Sequence, residues 1–255
     1  MDTNRISDLD IYLTRMQRSI LDKMFFMDKV FEPFRCILDF GCANGELIRA
    51  MQQMFPDYTY VGYDISAEMI EAARKHVPDA QFYDNWDSID TPFAESLINI
   101  SSTVHEVYSY CSETDIEIFW NRVFGSGFQY VTIRDMSFSQ ASDIPVRKEQ
   151  LDAVRNSKYA EWLDSFEQVW GKIERQRQLV HFLLKYKYTQ NWEREVHENY
   201  FPVYTEELLN RIPDSYRTVY RDAFTLPYTA WQIRKDFGFT LTDHTHIKLI
   251  LERKH

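Results

Sequence analysis

Short apolar runs alternate with longer helical stretches between residues 36 and 135, and this alternation is the feature that most constrains the fold. Several of the runs are apolar at nearly every position, which is typical of strands buried on both faces. Strands that alternate with helices form a parallel sheet covered on both sides. The predicted strands are CILDF (36–40), YTYVGYD (58–64), AQFYD (80–84), SLINIS (96–101) and YVTIRD (130–135), and the predicted helices cover 45–54, 66–76 and 113–123.

The second half of the chain interrupts this pattern and then completes it. Apolar and aromatic residues recur at helical spacing over 148–170 and again over 173–188, which predicts a helical insertion. A short helix is expected near 205–211, where acids follow a threonine. The stretches 215–224 and 246–253 have the composition of strands, and we expect them to close the sheet as an antiparallel pair.

We predict one enlarged α/β domain made of three segments. Its 255 residues exceed the usual size of a single domain but leave little room for two. Apolar residues at helical spacing over 7–31 predict a leading amphipathic helix that packs on the core. The segments are an N-terminal helix and α/β core over 1–140, a helical cap that covers the substrate over 141–203, and a C-terminal completion of the core over 204–255.

Charge and cysteine content restrict the partners and the compartment. The net charge of −10 has the wrong sign for general binding to nucleic-acid phosphates. The three cysteines are odd in number and lack metal-site spacing, so neither a disulfide framework nor a zinc cluster is indicated. No run approaches the ~20 apolar residues of a membrane helix, and the N-terminus lacks a signal-peptide pattern. We expect a cytoplasmic protein without membrane or nucleic-acid partners, and the sequence does not indicate its oligomeric state.

The turn after the first predicted strand carries the main chemical motif. The stretch ILDFGCANGELIRAM (37–51) ends its strand at Asp39, turns through Gly41 and Gly45, and enters a helix. Glycines allow tight turns and close approach of a ligand, and a helix N-terminus offers free N–H groups to an anion. The G-x-x-x-G spacing differs from the G-x-G-x-x-G of dinucleotide-binding proteins, which disfavours a nicotinamide cofactor.

The sequence DFGCANG resembles the glycine-rich first motif of class I S-adenosylmethionine-dependent methyltransferases, which commonly reads D-x-G-x-G-x-G or D-x-G-C-x-x-G. The family also has an acid at the end of its second strand, and Val61-Gly62-Tyr63-Asp64 matches it. A carboxylate there can accept hydrogen bonds from both ribose hydroxyls. The resemblance covers residues 30–140. It departs from the family pattern at Ala43, where many members have Gly, and in GSGFQYVTIRD (125–135), which lacks the usual proline.

The resemblance implies a Rossmann-like class I methyltransferase fold, with a mostly parallel sheet and helices on both faces, and S-adenosylmethionine as the cofactor. Each matching position also has a structural interpretation: Asp64 can cap the following helix, and Cys42 can be a small packing residue. The implied cofactor-binding residues are Asp39, Gly41, Cys42 and Gly45 around the methionine portion, Asp64 at the ribose, Ile65, Asp84 and Asn85 at the adenine, and Ser101 near the sulfonium.

The predicted catalytic residues follow the fourth strand, where open parallel sheets place their reacting ligands. Methyl transfer gains rate from alignment and desolvation, and a hydroxyl or amine acceptor also benefits from a general base. The stretch SSTVHEVYSY (101–110) offers His105, whose ordinary pKa lies near neutral pH, and Glu106, which could orient it. The alternatives are a His105 that orders the loop by hydrogen bonding and a Glu106 that caps a helix.

We predict no metal site. Asp243, His244 and His246 lie close together in sequence, but no further ligand is identifiable. A role at a turn or sheet edge explains them better.

The resemblance implies an S-adenosylmethionine-dependent methyltransferase. We expect its substrate to be a small molecule, because the chain is acidic and its predicted cap is rich in aromatic residues. One alternative is an RNA or protein methyltransferase, which would need a local basic strip. The other is a non-catalytic S-adenosylmethionine-binding regulatory subunit, since a fold alone does not establish activity.

Overall fold

A seven-stranded sheet forms the centre of the computed structural model, which describes residues 19–30 and 33–254. The strands are β1 (Cys36–Phe40), β2 (Thr59–Tyr63), β3 (Gln81–Tyr83), β4 (Ser96–Ser101), β5 (Tyr130–Met136), β6 (Tyr216–Phe224) and β7 (His246–Arg253). They lie in the order β3-β2-β1-β4-β5-β7-β6. Strands β1 to β5 are parallel, whereas β7 runs antiparallel to both β5 and β6. The predicted α/β fold and its antiparallel closing pair are therefore confirmed.

Helices cover both faces of this sheet because successive residues of a strand point to opposite sides. Ile37 of β1 packs in one hydrophobic cluster and Leu38 in another. The helices are α1 (Ile20–Lys23), α2 (Glu46–Met54), α3 (Ala67–His76), α4 (Val104–Tyr110), α5 (Glu113–Gly125), α6 (Lys148–Arg155), α7 (Ala160–Trp170), α8 (Gln176–Lys185), α9 (Trp192–His197), α10 (Thr205–Asn210) and α11 (Pro227–Phe237). No helix in the described ranges is long and apolar enough to cross a membrane.

A third hydrophobic cluster forms the interior of the cap, which we define as α6 to α9 with their connections and the segment that leads from α9 to α10. Phe166 and Phe182 are fully buried there. Ile233 and Phe237 of α11 belong to the same cluster, so the C-terminal segment helps to form the interior of the cap. The predicted segment boundaries at 140/141 and 203/204 stay predictions.

Two predicted helices differ from the observed ones. The predicted helix 148–170 is two helices, because the chain turns at Asn156 and Ser157, whose side chains bond to the backbone oxygens of Asp152 and Val154. Of the predicted leading helix 7–31, residues 7–18 and 31 lie outside the described residues, and the described part is helical only over Ile20–Lys23.

The strand order positions the site. The chain runs outward from β1 in both directions, to β2 and β3 on one side and to β4 and β5 on the other. Ligands of open parallel sheets bind at this reversal, beyond the carboxyl ends of the strands. The loops after β1 and β4, which carry Gly41 and Ser102, are therefore neighbours.

Candidate functional site

The loop between β1 and α2 has a backbone that requires small residues. Gly41 and Gly45 have φ angles of 78° and 77°, and Ala43 has 46°, all in the left-handed region. A Cβ atom on Gly41 would lie 2.6 Å from the Thr103 hydroxyl oxygen. The same hydroxyl donates to the carbonyl of Phe40, so it holds the two loops together. Gly41 is thus fixed both by its conformation and by the close approach of the β4 loop.

Asp64 joins the end of β2 to this glycine loop. Its Oδ2 accepts a hydrogen bond from the Ala43 N–H at 2.9 Å, and its Oδ1 accepts one from the Ser66 N–H at 2.9 Å. Burial raises the pKa of Asp64, and these two hydrogen bonds oppose the rise. Each carboxylate oxygen keeps a further lone pair for a ligand.

The predicted adenine-side residues lie exposed beside Asp64. The Asp64 N–H donates to the carbonyl of Tyr83, so the ends of β2 and β3 are adjacent. Ile65 is 79% exposed, and Asp84 and Asn85 are also exposed. The Asn85 side chain accepts a hydrogen bond from a backbone N–H of the following turn. These three side chains lie at the surface and not in the cavity described below.

Asp39 and Cys42 lie beneath the glycine loop. Asp39 is buried and accepts a 2.8 Å hydrogen bond from Asn99 Nδ2, and burial raises its pKa to about 6. The Cys42 thiol is buried against β2, where a Cβ on Gly62 would lie 2.8 Å from its sulfur. Neither side chain lines the cavity, so any contact they make with a ligand must go through the backbone or a shifted loop.

A cavity of about 510 Å³ lies between the carboxyl ends of the strands and the cap. It brings together Gly41, Asp64, Ser101, His105 and Glu106 from the sequence prediction. The cap contributes Glu195, Glu198 and Tyr200 to its wall, and the C-terminal segment contributes Tyr228 and His246. The volume falls in the usual range of small-molecule pockets.

His105 is buried at the cavity wall between two carboxylates. Its Nδ1 lies 2.6 Å from Asp135 Oδ1, and its Nε2 lies 2.8 Å from Glu198 Oε1. Burial alone would lower the pKa of His105, but the two carboxylates outweigh it and raise the pKa to about 10. The ring is therefore an imidazolium that donates from both nitrogens. Both ring nitrogens are thus occupied by carboxylates in this arrangement, and the role of His105 as a general base stays a prediction.

Glu106 belongs to the same charged group, which links the core to the cap. Arg194 of α9 donates from Nη2 to Glu106 at 2.8 Å and pairs through Nη1 with Glu198 at 3.1 Å. Burial and the charge of Glu198 raise the pKa of Glu106, whereas His105 and Arg194 oppose the rise. Ligand atoms of His105, Glu106 and Glu198 lie within 4.8 Å of one another, as in a metal site. In this cluster the positive charge beside the two carboxylates comes from the His105 imidazolium and the Arg194 guanidinium.

The two C-terminal histidines do not share a pocket. His244 is exposed, whereas His246 is buried, lines the cavity and bonds through Nδ1 to the Thr245 hydroxyl. Burial and nearby cations lower the pKa of His246, so the ring is neutral.

Sequence reasoning missed two charged groups at the cavity, Lys23 and Arg134. Within the described residues, Arg134 Nη2 is buried without a hydrogen-bond partner, as is the hydroxyl of the predicted Ser101, and Lys23 is a buried cation. All three line the cavity. The available signal was the charged pair Arg134 and Asp135 at the end of an otherwise apolar strand, since charged side chains are seldom buried without a partner.

Comparison with known proteins agrees with this geometry. The family model of a methyltransferase domain matches residues 37–127, from β1 into the turn before β5. A trans-aconitate 2-methyltransferase from Mycolicibacterium gilvum is 29% identical over 135 residues, which cover 53% of this chain and 49% of that protein. The chain thus spans about half the length of the curated relative that it matches.

Similar solved structures cover nearly the whole chain at low identity. The plantazolicin methyltransferase BamL, in complex with a triazolic desmethylPZN analog and S-adenosylhomocysteine (SAH), has a TM-score of 0.52 at 14% identity and covers 96% of this chain and 88% of its own. The geranyl diphosphate C-methyltransferase from Streptomyces coelicolor A3(2) has a TM-score of 0.52 at 13% identity, covering 92% and 77%. These similarities concern the fold. Residues 37–127 are thus similar to a methyltransferase domain, and the whole chain has the class I methyltransferase fold.

Proposed function

We propose that this protein transfers a methyl group from S-adenosylmethionine to a small-molecule acceptor. The observation that carries the proposal is the pair of hydrogen bonds that fixes Asp64 beside the glycine loop, where both line the cavity. When bound, S-adenosylmethionine supplies an electrophilic methyl group. The protein must then bind it, exclude water and align the acceptor.

The residues present fit this cofactor. Gly41 leaves space beside Thr103 that a Cβ would fill, and Asp64 keeps lone pairs for ribose hydroxyls. The Ser101 hydroxyl is a buried polar group without a partner in the described part of the chain, which is consistent with a ligand atom there. We propose the roles implied by the sequence: Asp39, Gly41, Cys42 and Gly45 at the methionine portion, Asp64 at the ribose, Ile65, Asp84 and Asn85 at the adenine, and Ser101 near the sulfonium.

We propose that His105 and Glu106 position the cap and do not remove a proton in the conformation described. His105 would have to release Glu198 or Asp135 and lose its proton before it could act as a base. In the closed arrangement the two residues hold Glu198 and Arg194 over the cavity and so help to exclude water. Rate enhancement then comes mainly from alignment and desolvation.

Three observations support a small-molecule acceptor. The cap and the C-terminal segment wall the cavity on the side away from the sheet. The net charge of −10 is unfavourable for RNA. The names of two similar proteins specify trans-aconitate and geranyl diphosphate, which are small anionic molecules.

The test is calorimetric titration of the purified protein with S-adenosylmethionine and SAH, with NAD as the control, followed by detection of SAH formed with candidate acceptors. We expect saturable binding of the first two ligands and none of NAD. Binding of NAD alone would contradict the cofactor. Binding without SAH formation across small-molecule, RNA and protein acceptors would instead support a regulatory subunit.

A further inference from the structure

Two buried cations face the cavity without a full set of partners. Lys23 is only 7% exposed, and within the described residues its Nζ makes no hydrogen bond and has no carboxylate oxygen within 4.0 Å. Arg134 is 3% exposed. It donates from Nε to Asp22 at 2.8 Å and from Nη1 to Ser102 at 2.9 Å, but Nη2 has no acceptor. Buried charged donors are unfavourable when unpaired, so these groups indicate a missing anion.

The protein's own carboxylates do not fill this role. Those that act on Lys23 electrostatically are Asp39, Glu106 and Asp135, and each bonds to another side chain. Burial and the neighbouring Arg134 charge lower the pKa of Lys23, as expected where positive charge is incompletely balanced. The nearby carboxylates are already paired with other side chains: Asp39 with Asn99, Glu106 with Arg194, Asp135 with His105, and Asp22 with both Arg134 and Lys248.

The strand order indicates which ligand carries the anion. Asp64 ends β2, whereas Arg134 lies near the end of β5, paired in register with Ser101 of β4. If the ribose lies at Asp64 and the sulfonium near Ser101, Arg134 lies one strand farther from β2, on the acceptor side, and Lys23 is close enough to interact electrostatically with Arg134. This step rests on the proposed function.

We propose that Lys23 and Arg134 bind a carboxylate of the acceptor substrate. An ammonium and the free edge of a guanidinium both donate charge-assisted hydrogen bonds to carboxylate oxygens. Ser101 adds a hydroxyl beside them. The substrate class is therefore an organic acid, held by its carboxylate while another of its atoms faces the methyl donor.

The experiment compares the wild-type protein with Lys23→Met, both ligand-free and saturated with SAH. Acetate, succinate, citrate and the neutral dimethyl succinate are titrated by calorimetry. We expect at least one carboxylate, and not the neutral ester, to bind wild type, and Lys23→Met to weaken that binding about tenfold or more. Because the Lys23 Nζ has no partner within the described residues, Lys23→Met should fold with undiminished thermal stability. Lys23→Gln provides a second neutral variant.

Lys29→Met is the matched control, since Lys29 is on the same N-terminal segment but its Nζ pairs with the exposed Asp28. It should leave carboxylate binding unchanged. Absence of binding by all three carboxylates, or equal binding by wild type and Lys23→Met, would overturn the proposal.

A second arm distinguishes the acceptor's carboxylate from that of the cofactor. SAH and 5′-methylthioadenosine, which lacks the carboxylate, are titrated into the same variants. If Lys23→Met weakens SAH but not 5′-methylthioadenosine, the cations bind the cofactor, and the proposal is overturned. If SAH does not bind wild type at all, the proposed function fails, whereas the titrations of ligand-free protein still decide the carboxylate site.

Discussion

Asp64 connects the structure of the glycine loop to its proposed ligand. Asp64→Asn keeps the size of the side chain but removes its charge and replaces one acceptor oxygen with an amide that cannot accept from the Ala43 or Ser66 N–H. We expect SAH binding to weaken about tenfold or more, because each lost charge-assisted hydrogen bond contributes about 1.5 to 3 kcal/mol. Calorimetry measures the change, and Asp87→Asn, at an exposed position, is the control. Unchanged affinity in a folded variant would refute the ribose role.

His105 makes the stability of the protein depend on pH in a definite direction. Its folded pKa of about 10 exceeds the ordinary value of 6.5, so its stabilising contribution is complete below pH 6.5 and is lost as pH rises through 10. His105→Gln should lower the free energy of unfolding by roughly 3 kcal/mol at pH 6.5, since Asp135 and Glu198 lose their cation. The difference between wild type and variant should shrink toward pH 10.

Urea unfolding at several pH values between 6 and 10 measures this difference. Wild type must be compared with His105→Gln because a second group also titrates in this pH range. Burial lowers the pKa of Lys185 from 10.5 to about 7, so Lys185 makes the stability of both proteins rise with pH. A difference that stays constant with pH would show that His105 is neutral in the folded protein.

The residues nearest the strand ends were predictable, and those that depend on packing between distant elements were not. Gly41, Asp64 and Ser101 follow apolar strands, so the alternation of strands and helices is enough to place them at one edge of the sheet. Lys23 has no such signal, because its burial depends on how α1 packs against β5 and β7 through Asp22. His105 was found as a candidate, but its charge depends on Glu198, 93 residues away.

At the scale of elements, the β1–α2 loop packs closely against the β4–α4 loop. Gly41→Ala would add a Cβ that meets the Thr103 hydroxyl at 2.6 Å in a left-handed conformation. We expect a loss of about 1 to 3 kcal/mol in unfolding free energy and weaker SAH binding. Gly125→Ala is the matched control, since it ends α5 with no atom within 4 Å of the added Cβ and should be neutral or slightly stabilising.

Thermal unfolding and SAH titration of both variants check this prediction. If Gly41→Ala matches Gly125→Ala in both measurements, the loop tolerates a side chain, and the close approach to Thr103 is not a constraint on the site.

The predicted boundaries of an element match the structure where every residue of that element is buried. β1 and β4 match the predicted runs at both ends, because every residue in them is buried. The predicted helix over 148–170 was wrong because apolar spacing continues across the turn at Asn156, where local side-chain bonds to the backbone end α6. The helix α4 was not predicted, and it begins where the Val104 N–H donates to Asp135, a contact between distant parts of the chain.

At the scale of the whole molecule, the cap is attached to the core through charged groups. Glu198 bonds to His105, and Arg194 bonds to Glu106. Beside them the Ser109 hydroxyl accepts a hydrogen bond from the Asn199 N–H. These contacts hold the cap against the β4–α4 segment at one wall of the cavity.

Glu198→Gln tests whether this attachment holds the cap. Glutamine can still accept a hydrogen bond from His105 Nε2, but it removes the charge that helps to raise the pKa of His105 and that pairs with Arg194. We expect two linked changes: the pKa of His105 falls from about 10 toward its ordinary value, and amide hydrogens over 192–201 exchange about tenfold faster, equivalent to ~1.4 kcal/mol. NMR titration of the imidazole and hydrogen-exchange mass spectrometry measure these two changes.

The control is Glu193→Gln, exposed on the same helix α9, which should change neither. Faster exchange with an unchanged His105 pKa would mean that the cap is held by packing alone, whereas a lowered pKa with unchanged exchange would mean that the charged group tunes His105 without restraining the cap.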